Sequence, residues 1–184
     1  KALKNLRDGL QKGKRTFALT ALTGAGKTFM LLALADEIRR IAKAKHNHDY
    51  GVIYGLPFLS ITEQVEGVCR QTFGDDFPVT RLDSKAINKR LEKLQAELDD
   101  QPQKLDELLH EKFSEETFDR AFIVTTFVQI FETLLSNRNA QLLKLPNFAH
   151  TIFLLDEIQA VPPRLYSFFA AHLQAFCEKF DCYS

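Results

Sequence analysis

The chain has 184 residues, enough for one α/β domain with a sizeable core. Lys+Arg and Asp+Glu stand at 24 each, so net charge offers no global argument for nucleic acid, and local patches must carry any such claim. No apolar run reaches membrane-spanning length, no signal peptide is visible, and Cys69, Cys177 and Cys182 form no C-x-x-C pair, which predicts a cytoplasmic protein with reduced thiols and no membrane partner.

In chain order, Lys1–Lys12 carries Leu3, Leu6 and Leu10 on one face and reads as a leading helix. Residues 16–21 form a short apolar run expected to be a buried strand. The following helix, 27–44, has Phe29, Leu32, Ala33, Ala35, Ile38, Ile41 and Ala42 at helical spacing. His46-x-His48 lies in a polar loop with no nearby Cys or carboxylate cluster and reads as a solvated pair, not a metal site. Further strands are expected at 51–56, 78–82, 121–125 and 150–155. Helices are expected at 60–72, 86–98, 103–112, 127–136 and 138–144, and at 163–180 behind Pro162-Pro163, where a missing N–H costs nothing. Segment 85–119 is charged, helical and divided by Pro102. Its apolar residues are too few for a core, so it reads as a surface helical insertion in a single unit spanning 1–184. The βαβα order implies an α/β fold: a parallel sheet with helices on both faces.

The turn between the first strand and its helix is the most informative stretch. Thr23, Gly24, Ala25, Gly26, Lys27 and Thr28 form a glycine-containing loop that opens a helix, leaving backbone N–H groups converging at a positively polarised terminus. Phosphate is the natural occupant. Lys27 is placed to reach the β- and γ-phosphates, and the Thr28 hydroxyl to coordinate Mg²⁺. A plain glycine turn is the bland alternative, and the strand–turn–helix context argues against it.

The apolar run 150–155 ends abruptly in Asp156-Glu157-Ile158-Gln159. Acidic residues at the carboxyl end of a buried parallel strand lie where α/β sheets bind ligands. Asp156 is expected to hold Mg²⁺, and Glu157 to orient and deprotonate the attacking water. An Asp-Glu pair after a strand can also be a helix start with favourable dipole charges. Downstream of a phosphate loop the catalytic reading is the better one, and the two motifs together point to NTP hydrolysis by Lys27, Asp156 and Glu157.

Two other strand ends bear on nucleic acid. Strand 51–56 runs into Pro57-Phe58-Leu59-Ser60-Ile61-Thr62, and strand 121–125 into Thr125-Thr126-Phe127. Both present hydroxyls and helix N-terminal amides at the carboxyl edge of the sheet, suited to the phosphates of a strand. Ser60 and Thr126 can equally be N-caps and nothing more.

The ordered set A-L-T-G-A-G-K-T, Y-G-L-P-F-L-S-I-T-E-Q, L-D-S-K, V-T-T-F-V-Q-I and L-L-D-E-I-Q-A resembles motifs I, Ia, Ib, Ic and II of superfamily-2 helicases, over about Thr16 to Phe180. The loop has Ala21 where the general pattern has glycine, which fits the superfamily-2 form. Within that group the chain most resembles the CRISPR-associated helicase–nuclease of type I systems. The resemblance implies a RecA-like lobe, ATP and Mg²⁺ as cofactors, and movement along single-stranded DNA. It also implies a second RecA-like lobe and a metal-dependent nuclease domain in the intact protein, and recruitment by an RNA-guided surveillance complex. Carried over by position, Pro57, Ser84, Thr125 and Thr126 are expected to touch the DNA backbone, and Gln159 to communicate the ATP state to it. The arginines that complete the ATP site belong to the second lobe, so this chain alone is expected to bind nucleotide but turn it over slowly. Gln11 is too close to the phosphate loop to serve as the adenine-reading glutamine. Other classes remain: a nucleotide-binding interaction module without turnover, or the lobe of a restriction or repair translocase. In the fold implied, strands 16–21 and 150–155 flank a slot that begins to fill near Cys182-Tyr183-Ser184, and the two strands should not bond to each other directly. Unpaired rims there would destabilise the fragment, favouring dimerisation through those edges or a rearranged segment in the slot.

Overall fold

The computed structural model describes residues 1–22, 24–74, 77–90, 92 and 105–184. Helix α1 (Ala2–Gln11) is followed by α2 (Lys27–His46), β1 (Gly51–Leu56), α3 (Leu59–Phe73), β2 (Val79–Arg81) and α4 (84–90). Then come α5 (Leu105–Glu116), β3 (Phe122–Thr126), α6 (Phe127–Leu135), α7 (Asn139–Leu142), β4 (Thr151–Leu155) and α8 (Pro163–Lys179). The four strands form one parallel sheet in the order β2-β3-β1-β4, flanked by helices. The chain divides into two compact units, residues 1–54 with 148–184, and residues 55–147.

In the first unit the strands are Val-, Ile- and Phe-rich, as a sheet covered on both faces requires. Val52, Ile53, Ile152 and Phe153 are at most 2% exposed. Helix α2 packs on β4 and α1 on α2. Gly9 of α1 lies against the segment that follows, because a Cβ there would come within 2.6 Å of Phe17 Cε1. Asn47 ends α2 in the left-handed conformation, its amide bonded to Lys43 O, a terminus that asparagine tolerates. Lys43, Lys45 and His46 in the last turn complement the helix dipole.

Glu37 fastens α1 to α2. Its carboxylate accepts from Arg40 (2.9 and 3.1 Å) and from Arg7 Nε (2.7 Å). The hydrogen bonds from Arg40 and then Arg7 hold the carboxyl at about 2, against an ordinary 4.5. A depressed folded-state value means the contribution is complete above about 4.5 and disappears as pH falls towards 2. Both arginines are more than half exposed and screened by solvent. Glu37→Gln should therefore lower stability at neutral pH by only about 1 kcal/mol and flatten the acid limb. Denaturant titrations at several pH values check this; parallel pH profiles for the two proteins would contradict it.

In the second unit β2 and β3 pair in register Val79↔Phe122, Thr80↔Ile123 and Arg81↔Val124. Arg81, 9% exposed, is balanced by Asp83 (3.2 Å), Glu63 (3.5 Å) and Glu66 (3.8 Å). Buried Lys144 donates to Gln129 Oε1 (2.7 Å), and its Nζ lies 4.7 Å from the centroid of the Phe118 ring. Burial lowers the affinity of that amine for its proton.

Several expectations are corrected. Residues 16–21 are extended, with exposure alternating residue by residue, but they are not a strand. Among the described residues their ladder partner is short: Phe17 N donates to Ser184 O (2.7 Å) and Ser184 N to Arg15 O (2.9 Å). On its other side Tyr183 pairs in parallel with Ile152, donating to Thr151 O (3.0 Å) and accepting from Phe153 N (2.8 Å). Residues 182–184 thus lie between 15–17 and β4, and among the described residues 16–21 and β4 do not bond directly. Helix 138–144 is reduced to Asn139–Leu142, followed by a 3-10 turn at Leu145–Phe148. Pro146 contributes to this, since it has no N–H to donate to Leu142 O and continue the helix. Of the insertion 85–119, residues 91 and 93–104, including Pro102, lie outside the described residues; α5 runs further than expected, to Glu116. The His46-x-His48 pair is half-buried and stacked among rings, not solvated.

Candidate nucleotide site

Helix α2 begins at Gly26, whose φ is 74°. Two residues earlier Gly24 has φ 79°, and Ala25 N donates to Leu22 O (3.1 Å) to close the turn. Both glycines sit in a conformation that a side chain would strain. No side chain caps the helix, and its first turn contains no acidic residue. The leading amides are therefore left to an anion, with the dipole in its favour. Gly24, Ala25 and Gly26 are exposed, while Lys27 and Thr28 are half-buried. Thr23 lies outside the described residues.

Asp156 leaves β4 at 9% exposure. Its Oδ2 accepts from Tyr54 Oη (3.0 Å) and its Oδ1 from Glu157 N (2.9 Å). Each oxygen keeps a lone pair, so the carboxylate is oriented yet able to hold a hard cation. The next residue, Glu157, has φ 56° and ψ 36°, a left-handed conformation rare for a glutamate. Such strain costs on the order of 1–3 kcal/mol and collects at functional sites. The bend brings Glu157 Oε1 to 2.9 Å from Lys27 Nζ. That hydrogen bond, first among the influences, raises the Lys27 ammonium above its usual range. Gln159 Nε2 donates to the other oxygen, Glu157 Oε2. Lys27, Asp156, Glu157 and Gln159 thus come together in one unit, with oxygen donors suited to Mg²⁺ on Asp156 and Thr28.

Tyr54 was not singled out from the sequence. It is 0% exposed, and a buried tyrosine needs a partner for its hydroxyl, which is the signal that could have found it. Tyr54→Phe should cost about 1 kcal/mol of stability and loosen Asp156. The second effect is read as a higher Mg²⁺ requirement for nucleotide binding; an unchanged requirement would mean that the Glu157 amide alone orients the carboxylate.

The second unit holds the other predicted residues. Asp83, also missed, accepts from Ala86 N through Oδ1 (2.9 Å) and from the Thr62 hydroxyl through Oδ2 (2.8 Å). It caps α4 and ties it to α3, leaving Ser84 exposed on the first turn. Pro57 is half-buried after β1. Thr126 is the N-cap of α6 but makes no side-chain cap bond, and Ser60 lies inside α3 behind Phe58, so neither hydroxyl is a cap. Thr125 does not fit the contact expected of it: it is 0% exposed and its hydroxyl donates to Leu82 O (2.6 Å). Among the described residues no helix is long and apolar enough to cross a membrane.

A parallel sheet whose phosphate-loop turn opens one helix, and whose acidic pair leaves β4 beside that loop's lysine, defines the first RecA-like lobe of a superfamily-2 helicase. The chain belongs to the family described as Type III restriction enzyme, res subunit, which matches residues 1–161. It is also similar to the CRISPR-associated nuclease/helicase Cas3 of Haloferax volcanii, with 32% identity over 151 residues. That match covers 78% of this chain and 16% of the relative, so the chain spans about a sixth of that protein's length.

Proposed function

We propose that this lobe binds Mg–ATP on the α2 turn and hydrolyses it to drive movement along single-stranded DNA, as part of a CRISPR-type interference helicase. The observation that carries the reading is the 2.9 Å contact between Lys27 Nζ and Glu157 Oε1, which joins the phosphate loop to the acidic motif. When nucleotide enters, Lys27 transfers from Glu157 to the β- and γ-phosphates; Thr28 and Asp156 would hold Mg²⁺, which would neutralise charge developing on the phosphates. Backbone N–H groups around Gly24, Ala25 and Gly26 cradle the phosphates. Glu157, released, accepts a proton from water as the water oxygen bonds to γ-phosphorus and the bond to the β–γ bridging oxygen breaks. Gln159, bonded to Glu157, carries the state of that carboxylate to the DNA-binding side.

Pro57, Ser84 and Thr126 hold the DNA backbone, with Thr125 contributing to the strand end behind them and not through its hydroxyl. The intact protein supplies a second RecA-like lobe, a nuclease domain and docking to an RNA-guided surveillance complex, and acts in the cytoplasm in antiviral defence. The test is fluorescence anisotropy with labelled single strands, duplexes and RNA, with and without Mg–ATP. Single-stranded DNA should bind best, and Ser84→Glu should weaken it several-fold without changing nucleotide affinity. The restriction-family match favours a second reading, a duplex translocase; preference for duplex DNA would establish that one instead.

A further inference from the structure

At the opposite end of β4 from Asp156 lies a cluster that the nucleotide site does not use. His150 immediately precedes β4, His48 lies in the turn before β1, and Asp181 follows α8. One donor atom from each falls within 4.8 Å of the others. His48 Nε2 is 3.6 Å and His150 Nδ1 3.3 Å from Asp181 Oδ2. Donors bound to Zn²⁺ at 2.0–2.2 Å in a tetrahedron stand about 3.3–3.6 Å apart.

Protonation favours the same reading. His48 Nδ1 lies 3.3 Å from His46 O, so it carries the hydrogen in the neutral ring and Nε2 keeps the lone pair. A backbone carbonyl fixing the tautomer in this way is the usual outer shell of a metal-bound histidine. His48 Nε2 is buried and, among the described residues, has no hydrogen-bond partner. Asp181 Oδ2 is oriented by the Tyr50 hydroxyl (2.5 Å), while Arg15 engages Oδ1 (2.6 Å). Ring packing accounts for part of the arrangement, with His48 stacked on Tyr50 at 4.9 Å and edge-on to His150 at 4.2 Å. Packing does not account for a buried imidazole nitrogen aimed at a carboxylate beyond hydrogen-bond reach. His150 and Asp181 both adopt positive φ, 54° and 53°, to face one another.

We propose that His48, His150 and Asp181 form a Zn²⁺ site that clamps the segment after α8 to the amino ends of β1 and β4. Three protein ligands leave one position for water. The five residues of β4, Thr151–Leu155, lie between His150 and Asp156, which puts the site roughly 20 Å from Asp156 along the strand. Its role is therefore to hold residues 182–184 in the ladder, and it does not depend on the nucleotide reading. Arg15 on Oδ1 weakens the pull of Asp181 on a dication, so affinity should be lower than in a site where the carboxylate serves the metal alone.

The test is calorimetric titration of ZnCl₂ into the chelator-stripped protein, in Mg²⁺ buffer without nucleotide. One equivalent should bind and raise the melting temperature. His48→Ala and His150→Asn should each weaken binding at least tenfold and abolish the thermal shift, whereas Lys27→Ala should change neither. Asparagine keeps the left-handed backbone at position 150, and the His150 side chain is half exposed, so that variant carries the test if His48→Ala fails to fold by circular dichroism. Co²⁺ in place of Zn²⁺ should give the visible bands of a tetrahedral nitrogen–oxygen site. Absence of binding, or the same isotherm in the His48/His150 double variant, would overturn the proposal. So would binding lost only on Cys177→Ser or Cys182→Ser.

Discussion

Lys27→Ala should weaken binding of ATP and ADP by roughly ten- to a hundredfold, the worth of a charge-assisted hydrogen bond to phosphate. Two effects add. The substitution removes the ammonium that meets the phosphates, and it leaves Glu157 without the partner now 2.9 Å away, so a free carboxylate faces the incoming γ-phosphate. The fold should survive, because the pair is partly exposed, at 24% and 38%, and no core side chain depends on it. Thr28→Ala should behave differently, reducing affinity mainly when Mg²⁺ is present, because in the proposed site its hydroxyl serves the metal. Isothermal titration on variants with unchanged circular dichroism measures both. Native affinity in folded Lys27→Ala would remove the phosphate-loop assignment.

Where a sequence signal is local, the structure follows it. The helical spacing from Phe29 to Ala42 becomes α2, the apolar run 51–56 becomes β1 residue for residue, and Pro163 opens α8. The turn before α2 and the acidic pair after β4 fall where the sequence puts them, because each is a short run bounded by its own elements. What failed were features set by distant partners. Residues 16–21 have strand composition, yet a strand needs a ladder, and among the described residues only 182–184 run beside their start. Thr125 looks like an available hydroxyl until the Leu82 carbonyl is placed against it. Tyr54 and Asp156 are bonded 102 positions apart, and nothing periodic in the sequence pairs them. The same holds for His48 and His150, which look like isolated polar residues until β1 and β4 are laid side by side. The left-handed turn at Glu157 has no sequence signature either, because glutamate is not a residue that favours it.

Glu157→Gln separates binding from chemistry. Glutamine keeps the size of the side chain and an oxygen to accept from Gln159, so the turn after Asp156 should persist. It loses the charge that holds Lys27, so the ammonium should be free for phosphate before nucleotide arrives, and Mg–ATP affinity should be unchanged or higher. It also loses the base of the proposed mechanism. A positioned general base is worth roughly 10²–10⁴ in rate, and single-turnover hydrolysis at saturating protein should fall by that factor. Tighter binding with lost turnover is the combination that only a base paired to the phosphate-loop lysine yields. A variant that hydrolyses at the native rate would place the base elsewhere. If the intact protein, its second lobe included, binds Mg–ATP yet hydrolyses it no faster than this variant even with single-stranded DNA present, the lobe is a nucleotide-binding module. In that case the Lys27–Glu157 contact would act as a latch on the empty site, broken by phosphate, with no chemistry to follow.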